Sequence, residues 1–404
     1  MDLHSVRDVV ILGAGPVGLD AGLAAAEAGL DFRILEQGKN VGANIRQWGH
    51  VELFSPWPLN LSGRMEEALA SIGAPVPTEG SPTGHEFVDQ LLEPIASLLE
   101  GQRVHGAKVV SVGRSTFLKH EEIGTGVRAQ APFRVFYEAR DGREHAEYAH
   151  TVLDCTGTWS QPNWLGPGGT PALGERRCSG IIRHVPDFEK ERADWAGRRI
   201  LVFGAGHSAF TAIRGLADIA ASHRGTRVTW VLRSASPSFT TYDDDPLPSR
   251  SALVSAAALA AGGEVAGINA LKGWSVHSID STIRAMHVGI VNSDGEQQAL
   301  EADRVLALIG SVGDRSLFEQ LQIHECYATQ GPMKLAATLL AAGGGADCLA
   351  QESHGVDVLA NPEPNFFILG SKSYGRNSSF LLKVGYDQVT EVFAALPQRG
   401  TAAA

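Results

Sequence analysis

Glycines 13, 15 and 18 form G-x-G-x-x-G directly after the apolar run 8–12, and an acid, Glu36, follows 18 residues beyond the last of them. Glycines lack a β-carbon, so the chain can turn tightly there and bring its backbone against a pyrophosphate. The N–H groups and positive dipole end of a helix that follows then hold the anion. A carboxylate at the end of the next strand accepts hydrogen bonds from ribose hydroxyls, which is the role expected of Glu36. A second set lies about 190 residues further on, where Gly204, Gly206 and Ala209 give G-x-G-x-x-A around His207 and Ser208. Ser208 can donate to a phosphate. The residue after the second strand of this set is Arg233. A guanidinium attracts the 2′-phosphate that an acid repels, so this set is expected to prefer NADPH to NADH. Arg224 and Arg227 add positive charge nearby.

Such residues work only on a particular scaffold. Residues 8–12 read as a short buried strand, 19–28 as a helix with Gly29 as its stop, and 32–35 as a second strand, which together make a βαβ unit. The same grammar recurs as a strand over 199–203, a helix reaching about residue 221 and a strand over 227–232. Between the two, 85–100 reads as an amphipathic helix, and 103–112, 133–138 and 147–153 as antiparallel strands with a turn at Asp141-Gly142. The Pro/Gly-rich stretch 161–169 reads as a linker. Later, 274–291 reads as a meander with a turn at Asp294-Gly295, and 302–309 as a strand entering Gly310. A strand over 365–369 precedes Gly370, a helix covers 379–396, and 401–404 is a frayed tail.

Composition bounds the partners. The chain of 404 residues has a formal net charge of −11, which argues against nucleic acid or an anionic membrane as the main partner. The longest apolar stretch, 252–261, is too short to span a bilayer, and the first eight residues do not read as a signal peptide, so a cytoplasmic location is expected. The four cysteines (Cys155, Cys178, Cys326 and Cys348) are scattered and include no C-x-x-C.

With these motifs in place the chain resembles the two-dinucleotide-binding-domain flavoproteins, of thioredoxin-reductase-like architecture but without the C-x-x-C. Asp154-Cys155-Thr156-Gly157 stands where that superfamily has its A-T-G turn, and Val109 and Val112 match the strand whose backbone meets the flavin adenine. Within the superfamily, Gly180, His184 and Phe188 match three of four positions of the class B flavin monooxygenase fingerprint F-x-G-x-x-x-H-x-x-x-[WF], with Cys178 in place of the first aromatic. The usual C-terminal Gly-Asp is replaced by Gly370-Ser371, and the second fingerprint of Baeyer–Villiger enzymes is not evident.

The resemblance implies an α/β fold of two Rossmann-like three-layer domains, the NADPH domain inserted into the FAD domain. The boundaries are 1–165 and 311–404 for FAD and 166–310 for NADPH. It implies FAD contacts at Gly13, Gly15, Pro16, Gly18, Glu36, Gln37, Val109, Thr156, Gly157, Gly370 and Ser371. NADPH contacts are expected at Gly204, Gly206, His207, Ser208, Ala209 and Arg233. Catalytic residues stay unassigned, with Asn60, His184 and Lys383 as candidates near the flavin or in the linker that moves between domains. The implied activity is that of an NADPH-oxidising monooxygenase in which reduced flavin and O2 form a C4a-(hydro)peroxide. That species oxygenates a small nucleophile (an amine, sulfide or carbonyl), and bound NADP+ protects it. The alternative is an NADPH-dependent reductase of a low-molecular-weight disulfide, quinone or other acceptor. A non-enzymatic redox sensor is the third reading, and the oligomeric state is left open, a homodimer included.

Other chemistry finds little support. No H-E-x-x-H or paired His/Cys spacing suggests a metal, and no G-x-S-x-G suggests a hydrolase. Asp243-Asp244-Asp245 reads as a solvated turn rather than a calcium loop, and Cys155 as a small buried side chain.

Overall fold

In the computed structural model, residues 6–241, 245–283, 285–342, 349 and 351–396 are described. Asp243, Asp244, Cys348 and the tail 401–404 lie outside them. Contacts divide the chain into two compact units. The first comprises Met1–Gly49, Ser55–Gln161 and Val312–Ala404, and the second His50–Phe54 and Pro162–Ser311. The second is thus an insertion in the first, and each contains parallel β-sheet, mixed with antiparallel strands, as the α/β reading requires.

The first unit is organised by a seven-stranded sheet. Arg7–Leu12 pairs in parallel with Phe32–Glu36 on one side and Glu144–Asp154 on the other. Val9 to Leu12 are all buried, as expected of a parallel strand covered on both faces. The long strand Glu144–Asp154 pairs antiparallel with Phe133–Glu138 along its first half, and Phe366–Ile368 lies parallel to its last three residues. The run read as one antiparallel strand over 103–112 is two strands. Arg103–His105 joins the parallel side of the sheet and Lys108–Arg114 the antiparallel side. Gly106, at φ +70°, breaks the run between them.

The helix Pro16–Glu27 starts on Gly15 with Pro16 at its first position, and Gly29 (φ +63°) follows its end. Val17 to Ala25 are buried without interruption, so the helix is enclosed rather than amphipathic. The stretch read as one helix over 85–100 contains a π turn, Val88–Leu92, between Gly84–Phe87 and Glu93–Leu98. Pro94 stands just beyond the π turn and has no N–H to continue the regular ladder. The last helix, Leu382–Ala395, begins three residues later than the sequence suggests.

The second unit has a five-stranded parallel sheet in the order Ile268–Lys272, Arg227–Leu232, Arg199–Phe203, Arg304–Ala307, Ile181–Ile182, and a three-stranded antiparallel meander, Trp274–Ser281, Met286–Asn292 and Gln297–Ala302. The helices His207–Ser222 and Pro248–Gly262 belong to this unit. Asp245 is not a solvated turn residue. Its side chain is almost enclosed, pairs with Arg250 at 2.7 Å and accepts from Ser251 Oγ at 2.6 Å. These hydrogen bonds, led by Arg250, hold its carboxyl down at about 2. No helix among the described residues is long and apolar enough to cross a membrane.

Candidate dinucleotide sites

The first glycine turn is shaped by close packing. Gly13 adopts φ +95°, and a β-carbon there would stand 2.8 Å from the carbonyl oxygen of Cys155. A β-carbon on Gly18 would overlap the carbonyl oxygen of Gly13, so the helix can approach the turn only with glycine at this position. Gly15 differs: a β-carbon there meets no protein atom within 4 Å. Gly15 is the N-cap and gives the helix no side-chain cap, so the first-turn N–H groups are left for an anion. Glu36 closes the turn, accepting from the N–H of Ala14 at 2.7 Å and of Gly38 at 2.6 Å.

Beside this turn is a cavity of about 510 Å3. Gly13, Gly15, Pro16, Glu36, Gln37, Val109, Thr156, Gly157, Gly370 and Ser371 all line it. Of the expected flavin contacts only Gly18 does not, because it packs behind the turn. Strand order explains the convergence. The strands Arg7–Leu12, Glu144–Asp154 and Phe366–Ile368 are parallel, so their C-terminal ends deliver residues 13, 155–157 and 370–371 to one edge of the sheet. The residues present fit a dinucleotide: a bare helix start, glycines where a β-carbon would crowd the turn, and an acid at the end of the second strand.

The cavity also has a wall that spacing alone does not reveal, formed in part by Asn44, Trp48, Lys108, Trp159 and Asp314. Trp48 and Trp159 are 6.4 Å apart at 46°, and Trp159 Nε1 donates to Gln47 at 3.3 Å. Lys108 adjoins Val109, and Trp159 lies two residues past Gly157, so both had a signal in their neighbours. Asp314 enters from the segment after Gly310, which no motif marks. Cys155 lines the cavity with its thiol pushed well up, first by burial and then by the charges of Asp154 and Asp20.

The three catalytic candidates do not meet there. Asn60 is buried and its amide is spent on its own loop, donating to the carbonyls of Ser55 (2.7 Å) and Pro56 (3.1 Å) and accepting from Ser55 Oγ. Lys383 is exposed and paired with Asp387 at 2.7 Å. His184 belongs to the second unit, half-buried, its pKa lowered by burial against the pull of Glu191.

In the second unit, Gly204 (φ +128°) has no room for a β-carbon, which would overlap the carbonyl oxygen of Leu308. Trp230 Nε1 donates to the carbonyl of Gly204 at 2.8 Å and holds the turn from the next strand. The helix His207–Ser222 starts on Gly206 without a side-chain cap, and Ser208 is exposed in its first turn while Ala209 is buried. The His207 ring packs against Phe54 (5.0 Å) and Phe210 (6.0 Å), and its pKa is lowered by this desolvation and by Arg250. Arg233 is exposed just past the strand Arg227–Leu232. Of the fingerprint residues, Phe188 docks on this helix at Gly215, where a β-carbon would stand 2.6 Å from its ring. Among the described residues no group of His, Cys, Asp and Glu is placed to hold a metal ion.

Comparison with solved structures finds the same fold repeatedly. A bacillithiol disulfide reductase from Bacillus cereus superposes with a TM-score of 0.66 at 19% identity, covering 96% of this chain and 98% of that one. The ornithine N-hydroxylase of Kutzneria sp. 744, whose structure holds reduced FAD, NADP+ and L-ornithine, gives 0.64 at 14% identity, covering 97% and 99%. A flavin-containing monooxygenase from Stenotrophomonas maltophilia gives 0.57 at 20% identity, covering 96% and 98%. Comparison with curated protein sequences finds no match. The family model for pyridine nucleotide-disulphide oxidoreductases matches residues 7–327, and with both glycine turns inside that span the chain belongs to this family of flavin-dependent NAD(P)H oxidoreductases.

Proposed function

We propose that the chain binds FAD in the cavity of the first unit and NADPH on the glycine turn of the second, and oxygenates a small nucleophilic substrate with O2. In the first unit the helix start at Gly15 and Pro16 takes the pyrophosphate, Glu36 the ribose hydroxyls, and Thr156, Gly157 and Ser371 the flavin side. In the second, Gly204 to Ser208 take the pyrophosphate and Arg233 the 2′-phosphate. Bound flavin supplies acceptance of two electrons from NADPH and their transfer to O2. One oxygen atom enters the substrate and the other leaves as water, with NADPH and a proton consumed.

The observation that carries oxygenation over thiol relay is Cys155. It is the one cysteine among the described cavity-lining residues, and burial holds it as the unreactive thiol. A second reading, reduction of a low-molecular-weight disulfide or quinone, draws support from the likeness to the bacillithiol disulfide reductases. NADPH oxidation by the purified flavoprotein, followed with and without O2, separates the two. Oxygenation requires consumption that depends on O2 and a transient absorbance before oxidised flavin returns. Fast anaerobic turnover with a disulfide or quinone, and no transient, selects the reductase.

A further inference from the structure

Two neighbouring parallel strands, Glu144–Asp154 and Phe366–Ile368, end side by side with Ile368 opposite Asp154, and each runs into a turn that lines the cavity. Gly157 (φ +67°) and Gly370 (φ +71°) give the turns their direction. Across them lies a buried ion pair. Lys372 Nζ is 2.6 Å from Asp154 Oδ2 and donates to Thr156 Oγ1 at 3.1 Å, while Asp154 Oδ1 accepts from the hydroxyl of Thr156 at 2.6 Å and from its N–H at 3.2 Å. The side chains of Lys372 and Asp154 are 3% and 0% exposed. The lysine stem fits because residue 313 is glycine; a β-carbon there would stand 2.5 Å from Lys372 Cγ.

A buried ion pair is seldom the most stabilising filling for its space, since desolvating two charges offsets much of their attraction. It does impose one geometry. Here it fixes both lone-pair and proton directions of the Thr156 hydroxyl and ties the 155–157 turn to the 370–372 turn. We propose that Lys372 and Asp154 are a positioning pair for the dinucleotide in this cavity, a role that rests on the FAD reading above. Neither side chain lines the cavity. They act through Thr156 and through the Gly370-Ser371 turn, where Ser371 Oγ lies 3.7 Å from the place of a β-carbon on Gly157.

The test compares wild type with Lys372→Met, Asp154→Leu and the double variant, measuring FAD affinity, the visible flavin bands and midpoint potential, and thermal unfolding of the FAD-free chain. Each single variant leaves a buried charge alone and loses both stability and FAD. The double variant regains thermal stability, yet its FAD affinity stays weaker by roughly tenfold and its flavin bands and potential shift, the scale seen when groups supporting a ligand's contacts are removed. A double variant that matches wild type in affinity, bands and potential overturns the positioning role. Should the double variant not fold, Thr156→Val decides instead, because it keeps both charges and removes only the shared hydroxyl. Unchanged FAD binding there overturns the proposal. A wild-type chain that binds no FAD overturns the cofactor reading itself.

Discussion

Gly13 and Gly18 touch across the first turn so closely that the carbonyl of one occupies the place of a side chain on the other. Gly15, between them in sequence, has open space on its side-chain side. The three glycines of one motif therefore answer to different demands, two to packing and one to the cavity. Gly18→Ala is expected to destabilise the fold by about 3 kcal/mol or more, as backbone atoms must shift to admit it. Gly15→Asp is expected to fold with wild-type stability and lose FAD, because its carboxylate stands where a pyrophosphate would. Thermal unfolding and flavin occupancy of the two purified variants check this. Full flavin occupancy in Gly15→Asp removes the first turn from cofactor binding.

Arg233→Ala is expected to weaken NADPH by roughly 1.5–3 kcal/mol, the scale of a hydrogen bond to a charged group, and to leave NADH nearly unchanged. Equilibrium titration with both coenzymes reads the difference. An equal loss for both takes Arg233 out of 2′-phosphate recognition.

His105, His184 and His207 all have pKa values held below the ordinary 6.5, first by desolvation against their neighbours, although only His184 is half-buried and the other two are exposed. Between 6.5 and those lower values the unfolded chain binds protons that the folded chain refuses, so the contribution of these three groups to stability is full above pH 6.5 and is lost as pH drops below it. The melting temperature of the cofactor-free chain should therefore fall on going from about pH 7.5 to about pH 5.5. The triple variant His105→Gln, His184→Gln, His207→Gln should show a shallower fall. Identical slopes for the two proteins would assign the pH dependence elsewhere.

Glu363 is buried between two arginines, Arg114 Nε and Arg128 Nη2 each lying 2.7 Å from one of its oxygens, and it also accepts from the N–H of Gln322 at 3.0 Å. Burial alone would raise its pKa; the arginines and the N–H outweigh it and hold the carboxyl low. Glu363→Leu strands two buried guanidiniums and should cost about 3–5 kcal/mol. Arg128→Met should cost less, since Arg114 and Glu363 still pair. Denaturant unfolding of both variants gives the order, and a reversed order would show that Arg128, not Glu363, organises the cluster.

The two βαβ units were legible because glycine spacing, a strand's apolar run and the terminal acid or arginine are all local. The edge strand Arg103–His105 was not: it shares its apolar pattern with Lys108–Arg114, and only the turn at Gly106 and its distant partner Phe32–Glu36 decide its direction. Site residues with a motif, such as Thr156 and Ser371, reach the cavity together because the ends of parallel strands converge. Asp314 and Trp48 reach it through irregular segments, which carry no period to read. Asn60 stood as a catalytic candidate in sequence, but both its amide N–H groups go to carbonyls four and five residues away. Asp245 likewise read as one of three solvated acids until the guanidinium five residues on is seen to claim it.

The five residues His50–Phe54 leave the first unit's chain and belong to the second, where Val51 and Phe54 join its core and Phe54 packs on His207. Modularity is therefore incomplete. A segment excised as Pro162–Ser311 would carry an open groove beside its own glycine turn, and a chimera that exchanged that segment for a relative's would still wear this chain's Phe54. Grafting the inserted unit between such enzymes takes two splices, one of them five residues long and set within the sequence of the first unit.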